Sequence, residues 1–167
     1  MRNQSSRGGQ KPKLIVIHTT EGHDRPGIAD LLGLAAFFDN PKAEVSSHVA
    51  NDQEGNDSRM VPDSQKAFTQ AGFNSVSLSI EQIGFAKFSR DEWLKKRSKQ
   101  LDNTAAWIRF WSKKHSIPIR HGQVDSAGRV VQSGTIRHSE LGARGGGHHD
   151  PGADYPLDDV LERARRG

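Results

Sequence analysis

The sequence contains no cysteine, so it offers neither a disulfide framework nor a thiolate metal site, and any metal must be held by histidine, aspartate or glutamate. Long apolar runs are missing too. The longest, Leu14 to Ile17 and Leu31 to Phe38, fall far short of the roughly 20 residues that cross a bilayer, so no membrane insertion is expected. Residues Met1 to Arg7 carry charge but are followed by no apolar stretch or small-residue cleavage site, so no secretory signal is read there. Apolar residues are scarce at 33%, and mean hydropathy is −0.74. Such a composition predicts a small core with much of the chain in polar loops.

What is present is 167 residues, enough for one domain with a sizeable core, along with 8 histidines, 17 glycines and a net charge of +4. That charge suits nucleic acid, an anionic membrane or an anionic cell wall equally, and so selects no partner. The basic cluster Lys95-Lys96-Arg97 with Lys99, Lys113 and Lys114 lies beside acidic residues on an amphipathic segment. A solvated helix face is the plainer account of it, and no nucleic-acid partner is expected.

Residues 1–13 are polar, basic and glycine-containing, which reads as a flexible leader, with the folded domain spanning 14–167. Leu14-Ile15-Val16-Ile17-His18 is largely β-branched and predicts a buried central strand with His18 at its carboxyl end. Ile28, Leu31, Leu32, Ala35 and Phe38 recur at helical spacing between Pro26 and Asn40-Pro41. Val45 to Ala50 and Ser58 to Pro62 suggest a hairpin around Asp52 to Asp57. Val76, Leu78 and Ile80 alternate with Ser77, Ser79 and Glu81, giving a strand with one apolar and one polar face. Ser89 to Glu92 forms a capping box, and Leu94, Leu101, Ala105, Ile108 and Trp111 mark a long helix ending near His115. Ile117 to Arg120 is read as a strand and Gln123 to Gln132 as a small hairpin. Alternating strands and helices place the chain in the α/β (α+β) class, with a central mixed β-sheet flanked by helices.

Three places carry chemistry: His18, the segment Ile136 to Leu141 with His138, and the glycine-rich Gly145 to Gly152 with His148, His149 and Asp150. A single histidine is more often an ordinary residue than a ligand. Two histidines and a carboxylate, however, are enough for a zinc hydrolase that keeps one position open for water.

These pieces, in order, resemble the type 2 N-acetylmuramoyl-L-alanine amidase family, whose fold is that of peptidoglycan recognition proteins. The resemblance rests on Ile15 to Thr20, Val45 to Gly55, Ala71 to Asn74 with Ser79 to Glu81, Arg137 to Leu141, and His148 to Pro156. It implies zinc held by His18, His138 and Asp150, with Glu81 as general base. It also implies that His148, where many relatives have lysine, donates to the oxyanion and to the departing amine. His48, Gln70, Asn74 and Arg137 are expected to touch substrate, and Arg144 to meet stem-peptide carboxylates. Some relatives place a catalytic tyrosine where this chain has Ser47, which leaves more to Glu81. The implied reaction is hydrolysis of the amide between N-acetylmuramic acid and L-alanine in peptidoglycan. The implied setting is a monomeric phage endolysin, or the catalytic domain of a longer lysin, made in the host cytoplasm and acting on the wall after release. The alternative is a recognition module that binds peptidoglycan without cutting it.

Overall fold

Two segments with period-two patterning lie at the centre of a computed structural model that describes residues 1–167. In chain order, β1 (Gln4–Ser6) and β2 (Leu14–Thr19) precede α1 (Ala29–Asp39). The strands β3 (Val49–Asn51), β4 (Asp57–Arg59), β5 (Gln65–Ala67) and β6 (Ser77–Gln82) follow, and then α2 (Arg90–Lys96) and α3 (Ser98–His115). Last come β7 (Gln123–Val124), β8 (Val130–Gln132), β9 (Gly134–Arg137) and α4 (Leu157–Arg166).

The main sheet has the order β4-β3-β6-β2-β9, with β3, β6, β2 and β9 parallel and β4 antiparallel at the edge. Alternation decides what each face holds. Ile15 and Ile17, with Leu78 and Ile80, point into the larger core, where they meet Leu101, Ala105, Ile108 and Trp111 of α3 and Val160 and Leu161 of α4. Leu14 and Val16 point the other way, toward Phe73, Ile136 and Leu141. Continuing that second alternation by one step carries His18 to the same face, and its neighbour in register on β6 is Glu81. Both sit at the carboxyl ends of parallel strands, where open α/β sheets place their ligands.

Several expectations change. The leader is part of the fold: β1 pairs antiparallel with β5, and Asn3 and Arg7 are buried. Asn3 Nδ2 donates to the carbonyls of Phe38 and Asn40 at 2.9 and 2.8 Å. Arg7 donates to the carbonyls of Asp63 at 2.7 Å and Ser75 at 2.9 Å. No apolar pattern announces this strand, because backbone pairing and two polar side chains hold it. Arg7→Ala is expected to lower stability by roughly 2–4 kcal/mol, since buried carbonyls lose a charged donor. Urea unfolding measures this. A loss below about 0.5 kcal/mol, the size of a typical surface change, would return residues 1–7 to the status of an appendage.

The long helix is two. Ser89 caps α2 by accepting the Glu92 amide at 3.2 Å. Arg97 then leaves helical geometry (φ −121°, ψ 23°), and its buried guanidinium lies 4.3 Å from the Phe88 ring centroid and reaches the Ile83 carbonyl. Ile117 to Arg120 forms no strand, because Pro118 lacks an amide donor and a tight turn follows it; a lone bridge joins His121 to Thr135. The hairpin beginning at Val45 is regular only over β3 and β4. In α1, Leu31 and Phe38 are buried while Leu32 and Phe37 stay exposed, as does Ile28 just before the helix. No helix is long and apolar enough to cross a membrane.

Candidate metal centre and catalytic cleft

His18 is the penultimate residue of β2, β9 runs directly into His138, and the glycine-rich loop brings Asp150 beside both. The nitrogen and oxygen ligand atoms of His18, His138 and Asp150 all lie within 4.8 Å of one another, and all three side chains are buried. His138 Nδ1 is 3.4 Å from Asp150 Oδ1, and His18 Nδ1 is 3.7 Å from Asp150 Oδ2. Donors on a tetrahedral zinc with bonds of roughly 2.1 Å stand about 3.4 Å apart, so the spacing fits.

Protonation supports the same conclusion. The outer nitrogen of each ring meets an acceptor: His138 Nε2 lies 2.8 Å from the Gly145 carbonyl, and His18 Nε2 lies 3.2 Å from Gln70 Oε1. A neutral imidazole that donates through Nε2 has a bare Nδ1. His138 Nδ1 is buried with no hydrogen-bond partner, facing a carboxylate oxygen. A carboxylate oxygen beside a buried ring nitrogen that has no hydrogen-bond partner is a place for a cation.

Burial and then the neighbouring His138 push the pKa of His18 down to about 3, which keeps its ring neutral. Burial alone would raise the pKa of Asp150. A hydrogen bond from His138 and the charges of His18 and His138, all available only when those rings are protonated, together with the Thr19 amide 3.1 Å away, outweigh it and hold this carboxyl down to about 2. Glu81 behaves oppositely. Burial first, then repulsion from Asp150 and Glu21, pushes it up to about 8. It lies 3.9 Å from His18 Nδ1 and is the one carboxyl here with a raised affinity for a proton.

These groups line a cleft of about 380 Å³. His148 stacks on His138 at 4.1 Å between centroids, its side chain 54% exposed and its Nδ1 3.4 Å from Asp150 Oδ1. His149 stands at the rim near Glu21, and the opposite wall is apolar, with Leu34, Phe37, Val45 and Phe68. Glu21 accepts hydrogen bonds from Thr19 Oγ1 and the Ala86 amide, each at 2.6 Å, and holds a left-handed backbone (φ 55°). Glu21 and the apolar wall were missed in the sequence; the turn Thr19-Thr20-Glu21-Gly22 after the first strand was the available signal.

Five expected substrate contacts do not reach the cleft. His48 is fully buried, 2.8 Å from Arg7 Nη2 and 2.9 Å from Ser79 Oγ. Gln70 is fully buried behind His18. Asn74 spends its Oδ1 on the amides of Thr69 and Gln70, and Arg137 spends its guanidinium on Glu140 and the carbonyls of Gly152 and Ala153. Arg144 lies over Phe73, away from the cleft. Ser47 is also buried, donating toward the Ser79 carbonyl at 3.1 Å. Of the basic cluster, Lys95 pairs with Asp91 at 2.6 Å on an exposed helix face.

Burial, and then the charge of Arg7, lowers the His48 pKa to about 3 from its ordinary 6.5. The folded state therefore refuses a proton that the unfolded chain accepts below about pH 6.5. Its contribution to stability is full above that pH and is lost as pH falls from about 6.5 to about 3, by up to ~1.4 kcal/mol per unit. His48→Gln is expected to flatten the decline in unfolding free energy between pH 6 and pH 4, roughly that window. An unchanged slope, in urea titrations at several pH values, would assign the acid sensitivity to other groups.

A family model described as N-acetylmuramoyl-L-alanine amidase matches residues 8–153. No curated protein matches the chain. Among solved structures, the N-acetylmuramoyl-L-alanine amidase LysC from Clostridium intestinale superposes with a TM-score of 0.63 at 14% identity, covering 97% of this chain and 89% of its own. The hydrolase AmiA of Staphylococcus aureus gives 0.66 at 16% identity, covering 96% and 77%. An endolysin from a Thermus scotoductus bacteriophage gives 0.62 at 18% identity, covering 93% and 86%. At these identities the superpositions speak for a shared fold.

Proposed function

The chain belongs to the N-acetylmuramoyl-L-alanine amidase family, and from that premise we propose that it cuts the amide between N-acetylmuramic acid and L-alanine in peptidoglycan, using zinc held by His18, His138 and Asp150. The observation that carries this reading is the buried gathering of two imidazole Nδ1 atoms and one carboxylate beside Glu81, whose pKa is raised. When bound, zinc supplies Lewis acidity that polarises an amide carbonyl and makes water easier to deprotonate.

The chain's own residues do the rest. Glu81, partly buried and next to His18, takes the proton of the attacking water, a role its upward-shifted pKa suits. His148, half exposed over His138, donates a hydrogen bond to the carbonyl oxygen as negative charge gathers there, and then a proton to the departing alanine nitrogen. Asp150, whose pKa is held down to about 2, stays ionised throughout. The same reading makes the chain the catalytic part of a phage lysin, which the likeness to a bacteriophage endolysin supports.

Purified peptidoglycan treated with zinc-loaded protein is expected to release stem peptides bearing a free L-alanine amino terminus, identified by mass spectrometry, and chelation is expected to stop that release. Zinc-loaded protein that sediments with the wall yet releases nothing would instead establish a recognition module.

A further inference from the structure

We infer that Gln70 is a positioning residue whose amide, locked by Ser77, keeps the proton of His18 on Nε2 and so turns the Nδ1 lone pair inward. The consequence for metal binding rests on the proposed zinc site, but the lock itself is a property of the metal-free protein.

The chain of hydrogen bonds has only one consistent direction. Ser77 Oγ lies 2.6 Å from the Phe73 carbonyl, which can only accept, so the single hydroxyl proton is spent there. Toward Gln70 the hydroxyl must then accept, and only the amide NH2 can donate to it; that contact is short. The amide is thereby oriented with its carbonyl oxygen toward His18, 3.2 Å from Nε2. A carbonyl oxygen accepts, so the His18 ring carries its proton on Nε2, and Nδ1 faces Asp150 bare.

The backbone is built to deliver this side chain. Asn74 Oδ1 accepts the amides of Thr69 and Gln70 at 3.1 and 2.7 Å, and the Phe73 amide donates to the Gln70 carbonyl at 3.0 Å. Ala71, the next residue, sits in the left-handed region at φ 44°, a conformation that costs energy in a residue with a Cβ. Gln70 and Ser77 are both fully buried, so water offers no alternative partner. A neutral amide also fixes the proton without adding negative charge to a site that already holds Asp150, Glu81 and Glu21. Gln70 is thus to His18 what the Gly145 carbonyl is to His138.

Long-range 1H–15N spectra of the metal-free, labelled protein read the tautomer of each histidine, and chelator competition reads zinc affinity. Wild type is expected to show His18 wholly as the Nε2–H form. Gln70→Leu and Ser77→Ala, checked for an intact fold by their backbone amide spectra, are expected to show mixed tautomers at His18, with zinc affinity about 10- to 100-fold weaker for Gln70→Leu, the usual cost of losing such a partner. A wild-type His18 protonated on Nδ1, or a Gln70→Leu variant with unchanged tautomer and affinity, would overturn the inference, and an unchanged Ser77→Ala spectrum would overturn the lock. Wild type that shows the Nε2–H form but takes up no zinc would sink the metal-site reading while upholding the lock.

Discussion

Glu81→Gln is expected to lower kcat for stem-peptide release by about 10²- to 10⁴-fold, the range that positioned proton transfer supplies, while leaving zinc affinity and fold unchanged. Glutamine has nearly the size of glutamate and keeps hydrogen-bonding capacity, so the β6 register beside His18 survives the change. What it cannot do is hold a proton taken from water. Glu81 stands outside the proposed ligand set of His18, His138 and Asp150, which is why the metal should stay. KM should move little, because the missing step belongs to the transition state rather than to binding. Single-turnover assays on a soluble muramyl peptide separate these quantities. A variant retaining more than about a tenth of wild-type kcat would fall below the usual range for a general base, and proton removal would then pass to the next carboxylate in the cleft, Glu21.

Patterning along single strands was legible in the sequence wherever one face is apolar. Leu78 and Ile80 against Ser79 and Glu81 determined the orientation of β6, and the capping box located the start of α2. His18, at the end of a β-branched run, could be placed for the same reason. His48 could not. Its segment is regular only from Val49 onward, so no alternation says which way the imidazole points, and the buried Arg7 that occupies its far side comes from a segment with no apolar signal. Gln70, Asn74 and Arg137 misled in another way: each lies close to the site in sequence motif and in space, but hydrogen bonds to backbone atoms and to His18 consume their polar groups. Such partners are long-range choices of the folded chain, invisible to spacing. The apolar wall of the cleft escaped notice because Leu34 and Phe37 fall outside the helical repeat of Ile28, Leu31, Leu32, Ala35 and Phe38, yet both line the cleft with Phe38.

Asp150→Asn probes the metal itself and should be the more damaging change to binding. The side chain keeps its size and can still accept the Thr19 amide, but it loses the charge that faces both imidazoles. Zinc affinity is expected to fall by more than the roughly 10- to 100-fold that an outer-shell partner is worth, and activity at equal zinc to disappear with it. Stability supplies a readout free of catalysis. Bound as proposed, zinc at about 1,000 times its Kd is expected to stabilise the wild-type fold by about 4 kcal/mol. In a chain of 167 residues that is a rise of roughly 8–16 °C in Tm, and the variant should show little of it. If Asp150→Asn bound zinc within about tenfold of wild type, well inside the loss expected even for an outer-shell partner, the ion would have to be held elsewhere. Taken with Glu81→Gln, the outcome separates two failures: loss of rate with the metal in place belongs to proton transfer, and loss of rate with the thermal shift belongs to the ligand set. Removing the Asp150 charge also removes one of the repulsions that raise the Glu81 pKa, so in metal-free Asp150→Asn the Glu81 carboxyl should titrate below its wild-type value of about 8. A shift in that direction, read by carbon NMR of the side-chain carboxyl, would show that the two carboxylates share one field even with the metal removed.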